Sequence, residues 1–257
     1  MNKIWKLMKR FLLFSFIKQT LFAAILCVVV LNNCYSQNDI GEVKGKLIYE
    51  NSMGNGQMVR EWKMEGPGEL KFNNGWMEMY SPEKKWDHVF WCPQDFPASF
   101  IAEWQMQNVD TTGGLIIIFF AAKGSKGEDI FDPALQKRDG TFKYYNKGQI
   151  NCYHISYYSN NPKNPERDDS HLRKDPMFAL MQTGEEGIPK NSLTIHDVRL
   201  VKDEAHIIMY VDNRKVIDCT DDGKTFGQVY TSGKIGFRQM RWTDCRYRNL
   251  KVWEIEN

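Results

Sequence analysis

The stretch Leu193 to Cys219, LTIHDVRLVKDEAHIIMYVDNRKVIDC, constrains this chain more than any other. Its apolar residues fall into three short runs rather than onto a helical stripe. The pairs Asp203-Glu204 and Asp212-Asn213 between those runs are of the kind that turns a backbone sharply. Three consecutive antiparallel strands are therefore expected across 191–219.

The same rhythm occurs elsewhere. GELKFNNGWMEMYS (68–81) reads as two strands about an Asn73-Asn74-Gly75 turn. In 98–107, Phe100, Ala102, Trp104 and Met106 share one face. GGLIIIFFAA (113–122) is apolar on both faces, as a central strand of a two-sheet stack would be. The segments 150–159 and 232–255 continue the pattern. Short strands separated by turn signals predict an all-β sandwich or jelly roll, with 37–257 forming one domain. Two stretches read as long irregular loops: 121–149, and the part of 152–178 beyond the strand at 150–159. Their Phe131, Leu135, Tyr144, Leu172 and Phe178 need something to pack on, which argues against disorder.

Residues 1–36 are set aside as an export signal, because Lys3, Lys6, Lys9, Arg10 and Lys18 precede an apolar run from Leu21 to Leu31 with no acidic residue. Cleavage is expected after Ser36, in preference to lipidation at Cys34. The apolar run is shorter than a membrane span requires. A periplasmic or secreted protein without a permanent membrane anchor is the expectation. Of the 34 basic and 32 acidic residues, the signal holds 5 basic ones, which leaves 29 against 32 and a net charge of −3. That balance excludes a nucleic-acid binder, which needs a concentrated basic face. Cys92, Cys152, Cys219 and Cys245 remain in an oxidising compartment, where the three pairings and four free thiols all stay open. No zinc spacing is present.

The segments GEDIFDPAL (127–135), INCYHISYY (150–158), HLRKDPMF (171–178) and GKIGFRQMRWTDCRYRNLKVWEI (233–255) resemble the YesU-like family of bacterial domains of unknown function. The resemblance implies a concanavalin A-like jelly roll of two antiparallel sheets with long loops over the concave face. It also implies a place among genes for breaking down acidic plant or algal polysaccharides. That fold serves hydrolases, lyases and lectins alike, so the activity has to be argued from residues.

A retaining glycosidase of this fold needs an E-x-D-x-x-E arrangement, which the chain lacks. β-Elimination at a uronic acid needs instead a cation for the carboxylate, a base for the C5 proton, and an acid for the C4 oxygen. Residues 152–178 hold all three types. On a strand, His154, Ser156 and Tyr158 project to one face, and Tyr153, Ile155 and Tyr157 to the other. An apolar Ile155 points that second face to the core. The expected catalytic residues are His154, Tyr158, His171 and Tyr157. Arg167, Arg173 and Lys174 would fold over the sheet to hold a carboxylate or sulfate. Arg238, Trp242 and His88 would line the same cleft and complete the substrate-binding set. Asp129 and Asp132 are weak calcium candidates, and no cofactor is required.

The expected function is that of a carbon–oxygen lyase, either a polysaccharide lyase or an oligosaccharide dehydratase, acting as a monomer on an acidic oligosaccharide to give a 4,5-unsaturated uronate. The alternatives are an anionic-glycan-binding protein without turnover and a glycoside hydrolase.

Overall fold

The computed structural model describes residues 43–256. The expectations for residues 1–36, including Cys34, lie outside that range. The strands are β1 (Lys44–Asn51), β2 (Lys63–Glu65), β3 (Glu69–Asn73), β4 (Trp76–Tyr80), β5 (His88–Phe96), β6 (Phe100–Asp110) and β7 (Gly114–Gly124). After one helical turn, α1 (Lys143–Asn146), come β8 (Ile150–Asn160), β9 (Asp169–Asp175), β10 (Ala179–Glu186), β11 (His196–Asp203), β12 (His206–Val211), β13 (Arg214–Thr220), β14 (Gly233–Gln239) and β15 (Asp244–Ile255).

These strands form two antiparallel sheets. One runs β13-β12-β11-β6-β15-β4-β3, with β1 also paired to β15; the other runs β10-β9-β8-β7-β14-β5-β2. The expected meander across 191–219 is present as β11-β12-β13. Its second turn places Asp212 and Asn213 at φ 51° and 62°, a conformation these short polar side chains tolerate. The Asn74-Gly75 turn between β3 and β4 likewise has φ 50° and 78°.

Phe100, Ala102, Trp104 and Met106 all enter the core between the sheets, as their alternation requires. Trp104 crosses from one sheet to the other and meets Phe237 edge-on at 5.5 Å, with Tyr157 at 5.9 Å. Large buried aromatic rings supply much of the hydrophobic stabilisation of such a sandwich. All four described cysteines are unpaired. No helix among the described residues is long and apolar enough to cross a membrane.

Two expectations of local structure are corrected. Residues 169–175 are not loop but a strand, β9, paired to β8 on one side and β10 on the other. Prolines at 162 and 165 and the surrounding charges give the segment a loop-like composition, yet alternation resumes at Asp169. The second correction concerns Tyr158. Ile116 pairs with Tyr158 while Ile117 pairs with Ser156, so β8 carries one extra residue there. This bulge reverses the parity of the strand beyond it, and both Tyr157 and Tyr158 join the core.

Candidate functional site

The outer face of the seven-stranded sheet is divided in two. One half is covered by the long segment between β7 and β8. Ile130 and Tyr145 of that segment pack with Val89, Trp91, Ile117, Phe119 and Cys152, forming a second apolar cluster. Glu65 pins the cover: it accepts hydrogen bonds from Arg138 at 2.6 Å, Tyr145 Oη at 2.8 Å and Trp91 Nε1 at 2.9 Å. Arg238 is part of this cover and not of a cleft. It is fully buried, donates to the Gly140 carbonyl and the Asp87 carboxylate at 2.8 Å each, and lies 4.6 Å from the Phe142 ring. Asp129 and Asp132 sit in the same cover. Asp129 pairs with Lys234 at 2.9 Å, and Asp132 caps the Ala134 amide. Among the described residues no group of three or more His, Cys, Asp or Glu side chains is placed to hold a metal.

The other half of this face is where β8 and β9 run side by side. His154 pairs in register with Arg173, and Ser156 with His171. Asp169, His171, Arg173 and Asp175 alternate with Ser170, Leu172 and Lys174 along β9. Because Leu172 enters the core, the first four project outward. Arg167, just before β9, donates to Ser156 Oγ and pairs with Asp169 at 3.3 Å. His171 Nε2 lies 3.2 Å from Asp169 Oδ2, so the Nε2–H donates and Nδ1 keeps its lone pair. Arg173 donates to the Phe178 carbonyl at 3.0 Å and lays its guanidinium 4.1 Å over the Phe178 ring. No carboxylate of the described residues forms an ion pair with Arg173.

Burial of three potential cations together has an electrostatic consequence. The Arg173 guanidinium is held below its ordinary value, first by desolvation and then by the charge of Arg167, with Asp175 opposing. Desolvation lowers Arg167 as well, against the attraction of Asp169. His171 is lowered by desolvation and next by Arg167, which keeps the imidazole neutral near physiological pH. An anion arriving here would relieve that repulsion. An open depression of about 330 Å³ adjoins the cluster, floored by Arg167, Asp169 and His171 and rimmed by the exposed Glu166 and Asp168.

His154 lies at the border between the two halves and is buried. Its Nδ1 bonds to Asp175 Oδ2 at 2.5 Å, and its ring is enclosed by Phe119, Phe142 and Phe178 at 5.6–5.9 Å. The imidazole is thus adjacent to the cluster but sealed beneath aromatic rings.

Several other expected site residues are structural. Tyr157 is in the core. The Tyr158 hydroxyl donates to the Lys190 carbonyl at 3.1 Å. Lys174 points into the core side of β9, fully buried with Asp221 at 2.6 Å and bonded to the Gly227 and Gln228 carbonyls. His88 is buried on the core side of β5 against Gln239, and desolvation pushes its pKa down to about 4. Trp242 stands in the turn between β14 and β15, with the Arg241 guanidinium 4.8 Å from its ring, and not on the β8–β9 face.

Of the expected set, the structure therefore brings together Arg167, His171 and Arg173, with His154 beneath them. Ser156, Asp169, Asp175 and Phe178 complete the arrangement and were not among the expected site residues. The period of two in DSHLRKD was the signal that would have grouped Asp169, His171, Arg173 and Asp175.

Comparison with known proteins gives the following. The sequence model of a domain of unknown function, DUF1961, matches residues 46–252. The chain is 34% identical over 212 residues to an uncharacterised Bacillus subtilis protein, YesU, covering 81% of this chain and 96% of that one. A crystal structure of a Bacillus subtilis protein of unknown function with a galectin-like fold superposes with a TM-score of 0.80 at 33% identity, covering 84% of this chain and all of the other. The exoplasmic/lumenal domain of VIP36, in a Ca²⁺/Man3GlcNAc-bound form, matches at 10% identity with a TM-score of 0.56, covering 83% and 92% of the two chains. At that identity the likeness concerns the fold alone.

Proposed function

We propose that this chain, which belongs to the DUF1961 family, acts on an acidic saccharide, holding a uronate carboxylate on Arg173 and Arg167 and removing the neighbouring C5 proton with His171. The observation that carries this reading is the half-buried Arg173, which is in ion-pair contact with no carboxylate among the described residues and shares one sheet face with a second guanidinium and a neutral imidazole. A guanidinium offers a planar pair of donors suited to a carboxylate. Charge withdrawn from the carboxylate by those donors acidifies C5–H.

The His171 Nδ1 lone pair takes the proton, the C5–H electrons form the C4–C5 double bond, and the C4–O bond breaks. The imidazolium then returns its proton to the departing oxygen. The products are an unsaturated uronate and either a shortened sugar or water, so lyase and dehydratase outcomes share one step. Asp169 keeps the imidazole in the tautomer that accepts at Nδ1. A sugar role also accords with the Man3GlcNAc held by VIP36 on a similar fold.

A second reading, acidic-glycan binding without turnover, is favoured by one observation: Tyr157 and Tyr158 are buried, so neither phenol stands over this face to protonate a leaving group. A panel of uronate-containing oligosaccharides separates the two. Growth of ultraviolet absorbance from the conjugated uronate supports elimination. Binding with a flat trace supports the second reading, and new reducing ends without absorbance mean hydrolysis and overturn both. Mass spectrometry at constant chain length identifies loss of water.

A further inference from the structure

The outer face of the eight-stranded sheet carries another depression, of about 500 Å³, separated from the Arg173 cluster by the whole two-sheet core. Two polar rungs that cross the strands in register run through it, with Trp253 of a neighbouring apolar rung at its edge. Trp253, Ile101, Val201 and Ile208 form an apolar rung from β15 through β6 and β11 to β12. Lys251, Glu103, Arg199 and Tyr210 form the next. Arg248, Gln105 and Asp197 form the third.

Each charged group of this lining has a partner. Glu103 accepts from Lys44 at 2.7 Å and lies 3.5 Å from Arg199, and Lys251 pairs with Glu50 at 2.8 Å. Gln105 accepts from Arg248 at 2.7 Å and donates to Asp197 at 2.8 Å. Lys44 also lies 4.0 Å over the Trp253 ring, which remains partly exposed along the depression.

We propose that this depression is a binding site for a neutral oligosaccharide. The reading is independent of the elimination chemistry proposed above. An anionic ligand would find Lys44, Arg199 and Lys251 each already paired with a carboxylate and would meet Asp197 beside them. An apolar partner would strand fixed carboxylate, amide and guanidinium groups without water. A sugar ring suits such a lining, because its hydroxyls both donate and accept along the polar rungs while its C–H face packs against Tyr210 and the part of Trp253 that Lys44 leaves exposed. The depression is also within the usual volume range of small-molecule sites. Side chains held by their neighbours in advance lose little freedom on binding, which favours affinity.

The test titrates the intact protein with neutral hexasaccharides of β-glucose, β-xylose and β-mannose, followed by calorimetry and tryptophan fluorescence. At least one binds, and Trp253→Ala, Glu103→Gln and Gln105→Ala each weaken it by about tenfold or more. Arg173→Ala leaves it unchanged. Glu103→Gln preserves size and Gln105→Ala trims a half-buried side chain outside the core, so they carry the test should Trp253→Ala not fold. The proposal is overturned if none of the three sugars binds, if Arg173→Ala abolishes binding, or if both Glu103→Gln and Gln105→Ala bind as tightly as the parent.

Discussion

His154 and Arg173 stand directly opposite each other across β8 and β9 and share one aromatic surface, the ring of Phe178. The imidazole stacks on it at 5.9 Å and the guanidinium at 4.1 Å. Phe178 itself is held at φ 55°, a backbone conformation rare for a bulky residue, and its carbonyl accepts from Arg173. The guanidinium is thereby fixed in plane over the sheet while most of its donors remain unused. Fixed planar donors favour a carboxylate over a point-like anion.

Arg173→Ala is accordingly expected to weaken binding of a uronate oligosaccharide by about ten- to a hundred-fold, or about 1.4–2.8 kcal/mol. Arg173→Lys recovers little of the loss, since an ammonium cannot present the same planar pair of donors. Calorimetric titration of both variants checks this. Equal affinity in Arg173→Ala and the parent would remove Arg173 from the site.

The neutral state of His171 gives a pH dependence with a definite sign. Its imidazole is held below the ordinary value of 6.5, so the base form is present across the neutral range and is lost only as pH falls through that lowered value. Elimination should therefore rise with pH on an acid limb lying below the usual histidine range. Arg167→Gln removes the second cause of the lowering and moves that limb upward; desolvation remains, so the move is partial. The NMR titration of the His171 ring reports the same shift without any substrate. An unmoved titration in Arg167→Gln would show that the two side chains do not sense each other.

Most of the architecture was legible in the chain because two-residue periodicity was intact wherever both faces of a strand had simple roles. Phe100, Ala102, Trp104 and Met106 are an instance, and so are the turns at Asn74-Gly75 and Asp212-Asn213. It failed where a polar residue sits inside. Lys174 is compatible with the core only because Asp221 neutralises it, and a partner 47 positions away leaves no local mark. Parity also misled at Tyr158, since a bulge is set by the pairing of β8 with β7 and not by β8 alone. The cluster of Arg167, His171 and Arg173 was foreseen as a group, but as a loop over the sheet. Its place within the sheet, on the same face as Ser156 and His154, followed from β9 being a strand.

Lys174 provides a direct check on that correction. Both it and Asp221 are fully buried, and Tyr153 Oη donates to the same carboxylate at 2.5 Å. Lys174→Met leaves Asp221 charged and without its cation, which should cost about 3–5 kcal/mol of folding stability. Denaturant unfolding measures the loss. Below the transition, the variant should bind acidic saccharide as the parent does, because Lys174 faces the opposite side of β9 from Arg173. A large loss of affinity with unchanged stability would restore Lys174 to the binding site.

Asp244, at the start of β15, makes the stability of the fold itself depend on pH. Its carboxyl is pushed up from 3.8 to about 6, chiefly by desolvation and then by the nearby charge of Glu78, with Asp110 adding to it and Lys71 and Lys84 opposing. One of its oxygens, Oδ1, is buried without a hydrogen-bond partner. The folded state thus keeps a proton that the unfolded chain has already released between these two values. The contribution of this group is fully present below the unfolded value and is lost as pH rises through about 6. Asp244→Asn should therefore unfold at a higher denaturant concentration than the parent at neutral pH, with the advantage shrinking as the pH approaches 4. Chemical unfolding of both proteins across that range checks it. A gap that stays constant with pH would mean that the carboxyl titrates alike in both states and that its burial carries no cost.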